Sequence, residues 1–415
     1  MSEVAGFYDR YPYPPAGGFT APNPRRYNRD RASLLLRRRA RDWIPAHAKV
    51  WVIGCGTVQA THWGLCFPEG EILATDISPE TLRRAEAIAK SAGCDNIRFA
   101  QEDLATSPHR EEFDWIVCTG VIHHLPDPDA GFAGLRAALK PEGAALVMVY
   151  STLLREPLVQ FRGLFRAMGG DALPAEERYP LMRRLLEAQL DSPRAHPVGQ
   201  EALAVLRDAL DEKPAFVADA LIHPQEVTFD LPTLFASLDK AGLAHRSWNH
   251  PRLWELGTYL DDETLGQRFS ELPIREREHA VYHAGGYHGP QLECLVERVD
   301  RSEPPRYEPQ ELLALPFVFR TADDAWELEG TSVRSRGSHA TYRLDGDAVE
   351  VRGGTTSGPP VTARIPADIL PVLKALDGTR PLGEVLQDSS HDANQLLGLL
   401  VQLLPPELDL IAPSP

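Results

Sequence analysis

Cysteine and positive charge are both scarce in this chain, and each scarcity removes a class of function. Its 415 residues hold five cysteines and four methionines. An odd number of cysteines without an export pattern predicts reduced thiols in a cytoplasm. Cys55, Cys94 and Cys118 fall in or beside predicted core elements and read as small buried hydrophobes; none has metal-site spacing, so no metal is expected. Lysine and arginine number 43 against 59 aspartates and glutamates, a formal net charge of -16. That balance argues against a chain built mainly to hold a phosphate backbone. No apolar run approaches the length needed to cross a bilayer, and the N-terminus lacks the charged-then-apolar pattern of secretion. At this length two or three domains can each bury a core.

What the chain does have is an apolar strand running straight into a glycine turn, Val50-Trp51-Val52-Ile53-Gly54-Cys55-Gly56-Thr57, with Asp76 twenty positions after Gly56. The β-branched run reads as a buried parallel strand, and the glycines let the backbone turn tightly against a ligand. Asp76 closes a second apolar run, Ile72 to Thr75, where a carboxylate accepts hydrogen bonds from both hydroxyls of a ribose. The pattern calls for a nucleoside-containing cofactor. A dinucleotide fingerprint wants a third glycine where Gln59 stands, so the reading favours a cofactor without a pyrophosphate. After a third strand, Ile97-Arg98-Phe99, Glu102-Asp103 is placed to accept from an adenine amino group. A fourth, Phe113 to Cys118, runs into Thr119-Gly120-Val121-Ile122-His123-His124-Leu125, and a fifth, Ala144 to Tyr150, follows the turn Lys140-Pro141-Glu142-Gly143.

Over roughly residues 30 to 150, and on to about residue 300, these features together resemble the class I S-adenosylmethionine-dependent methyltransferases. The resemblance implies an α/β fold: a Rossmann-like, doubly wound seven-stranded sheet with S-adenosyl-L-methionine across the carboxyl ends of its first, second and fourth strands. Carried over residue by residue, it implies cofactor contacts from Gly54, Cys55, Gly56, Thr57, Asp76, Ile77, Asp103, Leu104 and Thr119. Two positions depart from the family pattern. Val52 stands where an acidic residue is usual and Val58 where a glycine is usual, so another group must hold the donor's ammonium. The segments Phe7 to Pro15 and Leu221 to Glu226 also resemble a bacterial subgroup with an aromatic-proline opening and an insertion after the fifth strand. That likeness supplies no substrate.

Breaks in composition divide the chain. Residues 1–27, rich in proline, glycine and tyrosine, are expected to form an extended arm or lid, too proline-laden for helix or inner strand. A methyltransferase domain is expected over 28–300. It opens on a helix from Asn28 to Trp43 and carries a helical insertion over about 151–225, with apolar stripes at Leu158–Met168, Tyr179–Leu190 and Ala202–Leu210. Leu231–Ala241 reads as a helix stopped by Gly242, Leu243–Trp248 as a strand, and Gln291–Glu297 as the half-exposed last strand of the sheet. A linker over 301–311 precedes a small α+β accessory domain, 312–415. In it Thr341–Leu344 and Ala348–Arg352 form a hairpin, and helices fall at Ile369–Leu376, Leu382–Leu386 and Asn394–Leu404.

Methyl transfer is an in-line displacement, so the protein must position two reactants and, for an acidic acceptor, remove a proton. His123 and His124, after the fourth strand, are the candidate catalytic residues, with His123 the first choice of base; the alternative is that they cap the turn and pack on the donor. Tyr8, Tyr11 and Tyr13 are candidates for a lid on the acceptor side, and His223 for the acceptor pocket. His279 and His283 share a helix face near His288, but Gly285 and Gly286 interrupt the helix, which favours solvated histidines over a metal site. The arginines Arg25, Arg26, Arg29, Arg31, Arg37, Arg38, Arg39 and Arg41 read as a solvated helix face before they read as a phosphate site. The acceptor expected from the large cap and the acidic balance is a small metabolite, methylated on oxygen, nitrogen or carbon. A peptide or RNA acceptor stays open, as does a non-catalytic donor-binding protein, and the oligomeric state is unknown.

Overall fold

Strands that are apolar on both faces can only be buried between two layers of helices, and the first half of the chain supplies them in alternation with helices. In the computed structural model, residues 3–14, 44–192, 200–249, 251–260, 262–285 and 291–300 are described, as are 316–319, 327–329, 332–334, 341–345, 348–353, 361–388, 392, 396 and 411–413 beyond them. The predicted helix 28–43, its arginine cluster, the linker 301–311 and His288 lie outside the described residues.

The central sheet has seven strands in the order β3-β2-β1-β4-β5-β7-β6. These are β1 (Lys49–Ile53), β2 (Glu71–Asp76), β3 (Ile97–Gln101), β4 (Phe113–Thr119), β5 (Leu139–Tyr150), β6 (Leu243–Trp248) and β7 (Gln291–Arg298). The first five pair in parallel, and β7 runs antiparallel to both neighbours, β5 and β6. Chain order reverses between β1 and β4, and that switch point opens a crevice at the carboxyl ends of the strands. The two faces of the sheet bury separate cores. One is built around Trp51, Phe132 and Phe235, the other around Trp63, Phe67 and Trp115.

Two sequence expectations change here. The last strand of this sheet in chain order is not half-exposed: β7 lies between β5 and β6, and all its residues from Cys294 to Arg298 are buried. The charged Glu297 hides the reason, because it is fully buried beneath Arg246, which donates to it at 2.9 Å. The N-terminal segment is not wholly extended either. Glu3–Arg10 forms a helix, α1, with Glu3 and Arg10 placed to complement its dipole. The prolines begin at Pro12, so the composition of residues 1–27 as a whole hides the proline-free stretch at its start.

The remaining helices of the main body are α2 (Gln59–Cys66), α3 (Pro79–Ser91), α4 (Pro128–Ala138), α5 (Thr152–Ala167), α6 (Ala175–Leu190), α7 (Gln200–Asp208), α8 (Pro214–Ile222), α9 (Leu231–Ala241), α10 (Glu263–Ser270) and α11 (Ile274–Gly285). The insertion α5 to α8 has its own core of Phe161, Phe165, Met182, Leu186 and Leu221, on which Phe7 and Tyr11 of the N-terminal segment pack. Helix α9 ends where Gly242 turns left-handed, at φ 72°.

Beyond residue 300, β8 (Thr341–Asp345) and β9 (Ala348–Gly353) make the predicted hairpin inside a five-stranded antiparallel sheet. Short helices at Leu370–Lys374 and Leu382–Gln387 match two predicted ones, and Asp377–Pro381 between them is a strand. Most of the third, Asn394–Leu404, lies outside the described residues. All five cysteines are free thiols. No described helix is long and apolar enough to cross a membrane.

Candidate active site

The turn after β1 is shaped by two glycines in the left-handed region, Gly54 at φ 56° and Gly56 at φ 53°. A Cβ on Gly54 would collide with the side chain of Val121, and one on Gly56 would stand 2.6 Å from the Tyr13 carbonyl oxygen. The turn is thus pressed between the loop after β4 and the N-terminal segment. Asp76 faces it from the end of β2, accepting from Gly56 N–H at 3.1 Å and Ser78 N–H at 2.9 Å. Burial pushes the Asp76 carboxyl above the usual range, and those backbone donors pull it back down. Asp103, after β3, caps a short helical turn by accepting from Ala105 N–H at 2.9 Å.

These groups line one end of a cavity of about 560 Å³ at the switch point. Gly54, Cys55, Gly56, Asp76, Ile77, Asp103, Leu104 and Thr119 all border it. Thr57 does not: it is fully buried and reaches the N-terminal segment, its N–H donating to Tyr13 O at 3.2 Å and its hydroxyl to Pro14 O. Val52 is core, while Val58 lines the cavity. Gln59, which sequence reasoning used only to exclude a dinucleotide, lines it too. Its amide Nε2 donates to the Thr119 hydroxyl, which leaves Oε1 buried with no partner among the described residues.

The two adjacent histidines separate. His124 lines the cavity; His123 does not. Instead His123 is fully buried, stacked on Tyr150 with ring centroids 3.8 Å apart, and neither of its nitrogens has a partner. Burial, and then the neighbouring His124, hold its pKa well below the ordinary histidine value. The first-choice base therefore sits in packing, and its neighbour faces the space. Burial lowers His124 as well, and its Nδ1 donates to Gln225 O at 2.7 Å.

Around His124 the structure gathers residues that sequence reasoning did not put forward as site residues. Asp219 of α8 accepts from the Tyr8 hydroxyl at 3.0 Å and the Tyr150 hydroxyl at 3.2 Å. Arg155 and Arg162, buried on α5, both pair with the buried Glu226, and Arg155 lies over the Tyr150 ring at 3.8 Å. Tyr8, Tyr13, Tyr150 and Asp219 line the cavity. Tyr11 stacks on Tyr179 instead, at 6.0 Å, and is not part of the lining. His223 packs on His124 with ring centroids 3.8 Å apart and meets Phe7 edge-on at 4.9 Å, behind the wall. The sequence held one hint of this cluster, Leu221 to Glu226. It could not show that α8 brings Asp219 back over β5. His279 and His283 touch each other at 3.1 Å on an exposed helix, away from this cavity.

A parallel sheet with a glycine turn, a carboxylate closing β2 and a second carboxylate after β3 defines a nucleoside-cofactor-binding α/β protein. Residues 51–145 match the family model described as a methyltransferase domain. An uncharacterized protein of Synechococcus is 29% identical over 287 residues, 67% of each chain. A malonyl-[acyl-carrier protein] O-methyltransferase of Halalkalibacterium halodurans is 33% identical over 121 residues; the match spans 28% of this chain and 44% of that enzyme's length. Among solved structures, PKMT2 from Rickettsia typhi in complex with AdoHcy superposes with a TM-score of 0.64 at 14% identity, covering 96% of this chain and 77% of that one. Residues 51–145 thus carry a methyltransferase domain, on a fold shared with that AdoHcy-bound structure.

Proposed function

We propose that the protein transfers the methyl group of S-adenosylmethionine to a small-molecule acceptor held at the His124–Tyr150–Asp219 end of the cavity. The observation that carries this is that one cavity joins the nucleoside-type residues of the first four strands to a walled polar pocket closed by the insertion and the N-terminal helix. The residues fit the donor: Asp76 for the ribose hydroxyls, Asp103 for the adenine amino group, Ile77 and Leu104 for the faces of the base. The orphaned Gln59 Oε1 suits the ammonium that Val52 cannot hold. When bound, the donor supplies an electrophilic methyl on a sulfonium.

His124 serves as the base in this reading, because its Nδ1–H is committed to Gln225 O and its Nε2 lone pair is left for the acceptor's proton. His123 packs behind it and fixes Tyr150. Tyr8 and Tyr13 exclude water from the reacting end and offer aromatic faces to a cation. The N-terminal segment, the body to residue 300 and the residues beyond 311 act as arm, methyltransferase domain and accessory domain.

The test is calorimetry with S-adenosylmethionine, followed by methyl-labelled turnover against metabolite, peptide and RNA pools. Binding with label entering only the metabolite pool supports the proposal. Label in peptide or RNA overturns the small-molecule acceptor, and absence of binding overturns the donor site.

A further inference from the structure

A polar cluster beside a cation-binding cavity can hold a metal, an anion or a cation, and hydrogen-bond polarity separates them. One nitrogen each from His124 and His223 and a carboxylate oxygen of Asp219 lie within 4.8 Å of one another, all in buried residues. That spacing invites a metal, but the Gln225 peptide sets the two rings in opposite tautomers. Its carbonyl takes the proton of His124 Nδ1 at 2.7 Å, while its N–H donates to His223 Nδ1 at 3.1 Å. His124 Nε2 is therefore a lone pair and His223 Nε2 an N–H. Only one ring offers that nitrogen to a metal.

Charge then decides between anion and cation. Among the described residues that line the cavity there is no lysine or arginine, whereas Asp76, Glu102, Asp103, Asp219 and Glu293 all do. The first three stand at the ends of β2 and β3, where the nucleoside lies. Asp219 and Glu293 stand at the other end. Arg155 and Arg162, close by, are only 6% exposed, do not line the cavity and both pair with Glu226, which leaves one positive charge of that trio behind the wall. Asp219 takes part in no ion pair among the described residues; the hydroxyls of Tyr8 and Tyr150 hold its carboxylate in place and leave each oxygen a second lone pair. A carboxylate, phosphate or phenolate acceptor would meet like charge there, while an ammonium would meet an oriented carboxylate between aromatic faces.

Resting on the methyltransferase reading above, we infer that the acceptor is a small primary amine, bound as its ammonium ion against Asp219. The ammonium gives one proton to His124 Nε2. The freed nitrogen lone pair forms the bond to the methyl carbon as the carbon–sulfur pair leaves with sulfur, giving a secondary ammonium and the neutral thioether.

The test is calorimetric titration of the full chain, first with S-adenosylhomocysteine to saturation and then with benzylamine, benzyl alcohol or benzoate at pH 7.5. Benzylamine is expected to bind at least tenfold more tightly than either of the others. Asp219→Asn should erase that preference while leaving the S-adenosylhomocysteine affinity within twofold. Equal or tighter binding of the alcohol or of benzoate overturns the inference. So does a parallel loss of S-adenosylhomocysteine affinity in the variant, which would give Asp219 to the donor. Should the variant not fold, the wild-type ranking of the three probes decides alone. Failure of S-adenosylhomocysteine itself to bind removes the donor site and this inference together, whereas donor-product binding without amine preference removes only this inference.

Discussion

Asp76 and His123 show two ways in which a buried ionisable residue is held in this fold. Asp76 is buried but kept by two backbone N–H donors, and its oxygens still face the cavity. Asp76→Ala is expected to cost about 1.5 to 3 kcal/mol of donor affinity, the usual loss when a charged hydrogen-bond acceptor is removed, read by calorimetry; an unchanged affinity would take Asp76 out of the ribose site. The ring nitrogens of His123 have no hydrogen-bond partner among the described residues, and burial depresses its folded pKa. A depressed histidine adds stability above its unfolded value of about 6.5, and loses it as pH falls below that value, by about 1.4 kcal/mol per pH unit. His123→Phe keeps the stacking and removes that loss. Relative to wild type, the variant should therefore gain about 1 kcal/mol in urea unfolding between pH 6.5 and 5.5, because the unfolded imidazole is already half protonated at the upper end, and its donor binding at pH 7.5 should be unchanged. Adjacent histidines look equivalent in a sequence. Only the helical turn Ile122–His124, fixed by Val121 and Leu125 against the glycine loop and α4, decides which one meets the cavity.

At the scale of elements, the parallel strands and their crossovers were legible because each is a short apolar run ending in a chemically marked residue: Gly54, Asp76, Asp103, Thr119. The errors arise where tertiary pairing overrides local pattern. β7 alternates enough to suggest a half-exposed strand, yet Arg246 from β6 neutralises Glu297 and lets the strand be covered on both sides. α1 was hidden by the prolines after it, and its docking depends on contacts no local signal carries. Ser78, the N-cap of α3, accepts from Thr81 N–H at 3.0 Å and donates to Asp9 Oδ1 at 2.7 Å. Ser78→Ala should cost about 1 kcal/mol of global stability for the lost cap and loosen the N-terminal segment as well. Asp9→Ala should loosen the segment and leave the cap intact. Limited proteolysis checks this: both variants should be cleaved faster between residues 10 and 44, while only Ser78→Ala lowers the denaturation midpoint. Equal midpoints would mean that the Asp9 contact, not the cap, holds this corner.

For the molecule as a whole, the question is how much chain the donor site needs. The seven-stranded sheet is complete at Arg298, and the two sheets beyond residue 300 take no strand from it. Arg298 closes the body by pairing with Glu111 and Asp300, and Asp300 also takes Arg136 at 2.8 Å. A boundary placed before Asp300 would cut this clamp, and one placed after it would not. In the sequence the expected boundary is marked by Pro304, Pro305 and Pro309, residues that break regular elements. It said nothing of the clamp, since Glu111 and Arg298 are 187 residues apart. A chain ending at Asp300 is accordingly expected to fold, with helix and sheet content by circular dichroism matching the body alone, and to bind S-adenosylhomocysteine within threefold of the full chain. A chain ending at Val296 should lose the clamp and unfold at lower urea, although every cavity residue is still present. Insolubility of the first truncation would assign residues beyond 300 to the core of the body. Full binding with lost turnover would instead make them the part that delivers the acceptor.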